Sequence, residues 1–100
     1  MGAAERRSAA RKTVNFSVLY RTGLQQSKAT LIDISLTGAL LESSVTIPPV
    51  GAIVVIKFKP SGQDEPIPVN SRVVRYTTSG FAVEFLSLNK ATQQVIEGLD

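Results

Sequence analysis

Residues Val69 to Phe85 read VNSRVVRYTTSGFAVEF. Val73, Val74 and Tyr76 are strand formers in its first half, and in the second Phe81, Val83 and Phe85 alternate with Ala82 and Glu84. Thr78-Ser79-Gly80 between them is short enough for a tight hairpin connection. Two antiparallel strands therefore anchor the fold, and the chain on either side extends the pattern. Upstream, Ala52 to Lys59 is a β-branched strand, and Pro60 to Glu65 is its exit loop, with the turn signal Ser61-Gly62. Before it, Ile47-Pro48-Pro49-Val50-Gly51 cannot be a central strand, because proline has no N–H to donate; it is a connector.

Further towards the N-terminus, Val14, Phe16, Val18 and Tyr20 alternate with Asn15, Ser17 and Arg21, the period of a half-buried strand. Thr22-Gly23 begins a turn, Lys28 to Ile32 is a second strand, Asp33 to Gly38 a polar turn segment, and Ala39 to Glu42 a short third strand. After the hairpin, Asn89 is placed to cap a helix with Ala91, Val95 and Leu99 on one stripe and Ile96 beside it. Phe16, Tyr20, Tyr76, Phe81 and Phe85 sit among Val and Ile and are expected mostly in the core. No helix intervenes between strands to carry a parallel crossover, so the sheet is predicted to be antiparallel. Six short strands followed by one helix predict a mainly β protein, a small six-stranded antiparallel β-barrel with a C-terminal α-helix. Closure removes the exposed edges that an open sheet would leave.

The chain has 100 residues, 43% hydrophobic and 19% charged, the composition of one globular domain. It contains no Cys and no His, which excludes disulfides, thiol nucleophiles, imidazole acid–base work and zinc fingers. Its acids Glu42, Asp64, Glu65 and Glu97 are scattered, with no convincing pair for acid–base or metal chemistry. An enzyme is not expected, nor a metal or cofactor. The longest apolar run, Ala52 to Ile56, falls far short of the ~20 residues that span a bilayer. No apolar stretch follows the basic residues near the start, as a signal peptide would require. A cytoplasmic location without membrane insertion is the expectation.

Charge is uneven along the chain. The first twelve residues hold Arg6, Arg7, Arg11 and Lys12 against Glu5, a net of +3, whereas residues 13–100 carry seven cations and seven acids. Residues 1–12 lack packing periodicity and read as a flexible basic arm on a domain of residues 13–100. A neutral body with no basic groove argues against a nucleic-acid polymer as partner. Three guanidiniums in a short arm suit a compact anion.

Two clusters carry the functional reading: Arg6-Arg7-Ser8-Ala9-Ala10-Arg11 and Asp33-Ile34-Ser35-Leu36-Thr37-Gly38. Taken singly, the first reads as a solvated tail, and the second as turn chemistry, with Asp and Ser bonding backbone N–H groups and Gly at positive φ. Together, RxxxR (Arg7, Arg11), a strand, then DxSxxG (Asp33, Ser35, Gly38) and a β-barrel resemble the PilZ domain, a bacterial receptor for the second messenger cyclic di-GMP. The resemblance continues through Gly51, Arg72 to Arg75, Gly80 to Phe85 and the closing helix. It implies that Arg7 and Arg11 take guanine edges and phosphates, that Asp33 accepts from guanine N–H groups, that Ser35 offers a hydroxyl and that Gly38 admits close backbone approach. Guanine's O6 and N7 acceptors match an arginine fork, and its N1–H and N2–H₂ donors match a carboxylate. Arg6, just before the motif, is similar to members that take a stacked, intercalated pair of ligands; a solvated charge is the other reading. The family often has His, Pro or a bulky residue within RxxxR, where this chain has Ser8-Ala9-Ala10, and Thr37 stands where smaller residues are commoner.

The implied function is a signalling module in which ligand orders the Arg arm onto the barrel and repositions a downstream protein or adjoining domain. The alternative is a PilZ-like adaptor that works through protein contacts without nucleotide.

Overall fold

The computed structural model describes residues 11–43, 47–60, 62 and 64–99. Strands β1 (Lys12–Thr22), β2 (Gln25–Ile34), β3 (Gly38–Glu42), β4 (Ile53–Phe58), β5 (Ile67–Tyr76) and β6 (Gly80–Phe85) precede one helix, α1 (Lys90–Glu97). They close a barrel in the order β1-β2-β3-β6-β5-β4, with β4 returning to β1, and every pairing is antiparallel. The predicted class is borne out, with strand ends moved. β2 runs from Gln25 to Ile34 where Lys28 to Ile32 was expected, so Asp33 belongs to a strand and not to the turn. Its Tyr20↔Ser27 to Thr22↔Gln25 ladder with β1 draws the polar residues 25–27 into the sheet despite their weak strand propensity.

The interior is filled mostly by alternate strand residues. Val18 and Tyr20 of β1, Leu31 and Ile34 of β2, Leu41 of β3, Val54, Ile56 and Phe58 of β4, Val69 and Val73 of β5 and Phe81 and Val83 of β6 form one cluster. Full burial of each large aliphatic or aromatic side chain stabilises by about 1.5–3 kcal/mol. The Tyr20 ring meets Phe81 edge-on at 5.3 Å between centroids. Tyr76 does not join them. Val73 pairs with Val83 but Arg75 pairs with Ala82, so Val74 is an extra residue that breaks the alternation. Val74, Arg75 and Tyr76 are all exposed in consequence.

The barrel ends are closed differently. β3 and β4 are not neighbours in the barrel; in the described part of the connection between them, Pro48 is buried beside Tyr20 and Thr22 at one end and Ile47 packs on the core. At the other end lies α1, whose N-cap Asn89 accepts from Thr92 N through its side chain at 2.8 Å. Its buried positions are Thr92 and Ile96, with Val95 and Leu99 partly buried. Ala91, expected on the apolar stripe, is exposed; the buried face is turned one residue on, where Ile96 reaches the core.

β3 and β6 approach closely at both ends of their shared ladder. Gly38 stands opposite Glu84 and Gly80 opposite Glu42. A Cβ on Gly38 would collide with the Val83 carbonyl oxygen, and one on Gly80 with that of Leu41. We expect Gly80→Ala to destabilise the domain by about 1–3 kcal/mol in urea unfolding, because the ladder must open to admit the methyl group. Leu24→Ser, in a fully exposed turn, is expected to stay within about 0.5 kcal/mol of the parent.

Candidate functional site

The site lies at the α1 end of the barrel, where β1 begins and β2 ends. Asp33 pairs with Thr13 across β1–β2, and Lys12 with Ile34. On the other side of β2, Leu31 pairs with Leu41 but Asp33 with Leu40, so Ile32 is the inserted residue of a bulge. The bulge reverses the inward–outward alternation. Leu31 and Ile34 both reach the core, and the Asp33 carboxylate turns out to the surface with its side chain 21% exposed.

Arg11 immediately precedes β1 and meets this carboxylate. Its Nε donates to Asp33 Oδ1 at 2.9 Å, and its Nη2 lies 2.8 Å from the same oxygen in an ion pair. Twenty-two positions separate the two residues in sequence. The arginine is half exposed, so the pair contributes at most about 1 kcal/mol. Its effect is positional: a guanidinium and a carboxylate share one corner.

Two residues beyond Asp33 the chain turns into β3. Ser35 is 1% exposed, and its Oγ accepts from Thr37 N at 3.1 Å and from Gly38 N at 3.3 Å. Ser35 N donates to Gly38 O at 2.9 Å, and the Ser35 and Thr37 hydroxyls lie 3.0 Å apart. The Ser35 hydroxyl thus ties the turn together from inside. Gly38 is the first residue of β3, not a turn residue, and positive φ occurs at Gly23, Gly51 and Gly62 instead. Its missing Cβ makes room for β6. Phe85 N then donates to Thr37 O at 2.8 Å, fastening the turn to the end of β6.

A family model for the PilZ domain matches residues 5–99. The chain belongs to the PilZ domain family, which is known for binding cyclic di-GMP. Among solved structures, this PilZ domain is similar to the PilZ domain of CeSA from a cellulose-synthesizing bacterium, with a TM-score of 0.71 at 16% identity. The match covers 89% of this chain and 92% of that one, and at this identity it speaks to the fold alone. No curated protein matches.

In this PilZ domain the barrel-borne motif residues Asp33, Ser35 and Gly38 occupy one corner, and Arg11 of RxxxR reaches it. Arg6 and Arg7 lie outside the described residues, as does the expected arm as far as residue 10. Arg72 is engaged elsewhere, 3.3 Å from Glu84 across β5–β6 on the exposed surface. Among the described residues no group of three acidic side chains is placed to hold a metal ion.

Lys12, which in the sequence is one more cation near the N-terminus, also belongs to this corner. Lys12 Nζ donates to the carbonyl oxygens of Glu97 at 2.6 Å and Leu99 at 2.8 Å. A helix C-terminus leaves carbonyls unpaired and carries partial negative charge, and α1 has no basic residue in its own last turn. That lack is the signal in the sequence that a cation comes from elsewhere, though it does not say which one. Arg11 and Lys12, adjacent in the chain, therefore join the start of β1 to β2 and to α1.

Ser35→Ala is expected to lower unfolding free energy by about 1–3 kcal/mol without any ligand, since it strips the buried Gly38 N–H and the part-buried Thr37 N–H of their acceptor. Asp33→Asn at the exposed pair is expected to cost no more than about 1 kcal/mol. Equal losses in parallel urea titrations would contradict this division between a turn-holding serine and a surface carboxylate.

Proposed function

We propose that this chain is a cyclic di-GMP receptor, a binding module that carries out no reaction and needs no cofactor beyond its ligand. The observation that supports it most is the meeting of Arg11 with Asp33 at the barrel corner, 2.8 Å apart. A guanine offers acceptors O6 and N7 on one edge and donors N1–H and N2–H₂ on the other, and this corner holds a complement to each. Both arginine bonds fall on Oδ1, so Oδ2 is open to a guanine donor among the described residues. Arg7 and Arg6 extend the cationic set towards the phosphates and, for Arg6, towards a second, stacked ligand. Ser35 shapes the corner by holding its turn, and its backbone lies beside the ligand.

In this reading the ligand joins the arm to the barrel. Arg11 exchanges part of its bond with Asp33 for nucleotide, and Arg6 and Arg7 close over the ligand. The signal is then a changed surface at the α1 end, read by a downstream protein or an adjoining domain. The location proposed is the bacterial cytoplasm.

Isothermal titration calorimetry tests the proposal. Cyclic di-GMP is expected to bind much more tightly than GMP or cyclic di-AMP, and Arg7→Ala and Arg11→Ala each to weaken binding by about 1–3 kcal/mol. A stacked pair gives twice the ligand per chain of a single one, and Arg6→Ala is expected to return the stoichiometry to the single value. Parent-like binding by the Arg7 and Arg11 variants would overturn the site. No heat with the nucleotide, together with co-purification of a protein, would favour the adaptor instead.

A further inference from the structure

Residues 13–100 are balanced in charge, but the barrel does not distribute that charge evenly. Leu19 on β1 pairs with Lys28 on β2 and with Lys57 on β4. Residues directly opposite on neighbouring strands project to the same side. Lys28, Leu19 and Lys57 thus form a row across three strands, with the two lysines about 10 Å apart at two strand spacings. The next outward row is Gln26, Arg21 and Val55. Lys59, two residues past Lys57, lines a groove of about 320 Å³ with Ser17, Leu19, Lys28, Lys57 and Pro66.

Four cations therefore surround the half-buried Leu19 and Val55, and neither row contains an acid. Among the described residues the ion pairs are Arg11–Asp33 and Arg72–Glu84, so these four cations have no ion-pair partner there. Glu42, which shares a second groove with Lys28, instead accepts from Ser79 Oγ. Three unpaired lysines and an arginine around an apolar centre form a surface electrostatically complementary to carboxylates.

We propose that the outer face of β2–β1–β4 is a docking surface for a short acidic segment of a partner protein, one that places an apolar side chain between carboxylates. Leu19 and Val55 take the apolar side chain, and Lys28, Lys57, Lys59 and Arg21 take the carboxylates. An apolar centre with a charged rim is the usual anatomy of a protein contact. A nucleic acid fits less well. The aromatic side chains of β1 and β4 turn towards the barrel interior, so the face has no ring on which to stack a base. Its cations are mostly lysines, without the paired arginine forks that grip phosphates. Three strands by five residues is smaller than a standard stable interface, so the contact is a transient one. Leu19, the centre of the face, lies about 20 Å along β1 from Thr13 at the Asp33 corner, so a partner here and a ligand there do not compete for the same atoms.

The test is fluorescence anisotropy with a fluorescein-labelled peptide in which a leucine lies between two pairs of glutamates. We expect binding at ~20 mM salt that weakens several-fold by ~200 mM, as the Debye length shrinks. Lys28→Glu combined with Lys57→Glu is expected to weaken it about tenfold or more. Leu19→Ser should weaken it as well, and Arg75→Glu with Lys90→Glu, away from these rows, should not. Circular dichroism of each variant checks the fold, and a cyclic di-GMP titration of the Lys28/Lys57 variant should match the parent, which separates this proposal from the ligand site. Absence of peptide binding, or equal binding by the charge-reversed variant, would overturn it. Tighter binding to a single-stranded thymidine oligonucleotide or to phosphatidylserine vesicles, lost in that same variant, would overturn it in favour of a phosphate-reading face.

Discussion

Strand β2 has to place Leu31 and then Ile34 in the core, and a pleat of period two cannot do so with a spacing of three. The bulge at Ile32 resolves the conflict by one inserted residue. Everything at the α1 end depends on that insertion. It turns the Asp33 carboxylate outwards, and it places Ser35 inside, where its hydroxyl holds the turn into β3. Without it, Asp33 would face Leu31's side of the sheet and carry an uncompensated charge into an apolar barrel, which is strongly unfavourable.

Two adjacent cations then connect this corner to the rest of the molecule. Arg11 binds the β2 carboxylate, and Lys12 binds the carbonyl end of α1. The interactions differ in strength and in exchangeability. The Arg11 pair is half exposed and easily exchanged for another acceptor, whereas Lys12 complements the helix terminus from a partly buried position. An event that displaces Arg11 therefore acts one residue away from the bond that holds α1. This is a short physical route from the candidate site to the helix.

The charge of the barrel shows how far a sum can mislead. Seven cations and seven acids cancel along residues 13–100, and the sequence alone suggested a neutral body. Pairing β1 with both β2 and β4 brings Lys28 and Lys57 to either side of Leu19, although 29 positions separate the two lysines in sequence. Net charge is a one-dimensional quantity, and potential at a surface depends on which strands close the barrel.

Strand existence, antiparallel pairing, the hairpin before Phe81 and the Asn89 cap were legible in the residues because each depends on near neighbours: alternation, turn chemistry, a side chain bonding a backbone N–H three positions on. The motif residues Arg11, Asp33, Ser35 and Gly38 were legible as a pattern, though not in their separate roles. Bulges at Ile32 and Val74 were not legible, and with them the outward turn of Asp33 and the exposure of Tyr76. Nor was the reason for Gly38, which answers to a carbonyl on β6, or the bond from Lys12 to a helix 85 residues away. Local periodicity determines which segments become strands; the fit of six strands around one core decides where that periodicity must break, because only the closed barrel forces residues distant in sequence to share the same space.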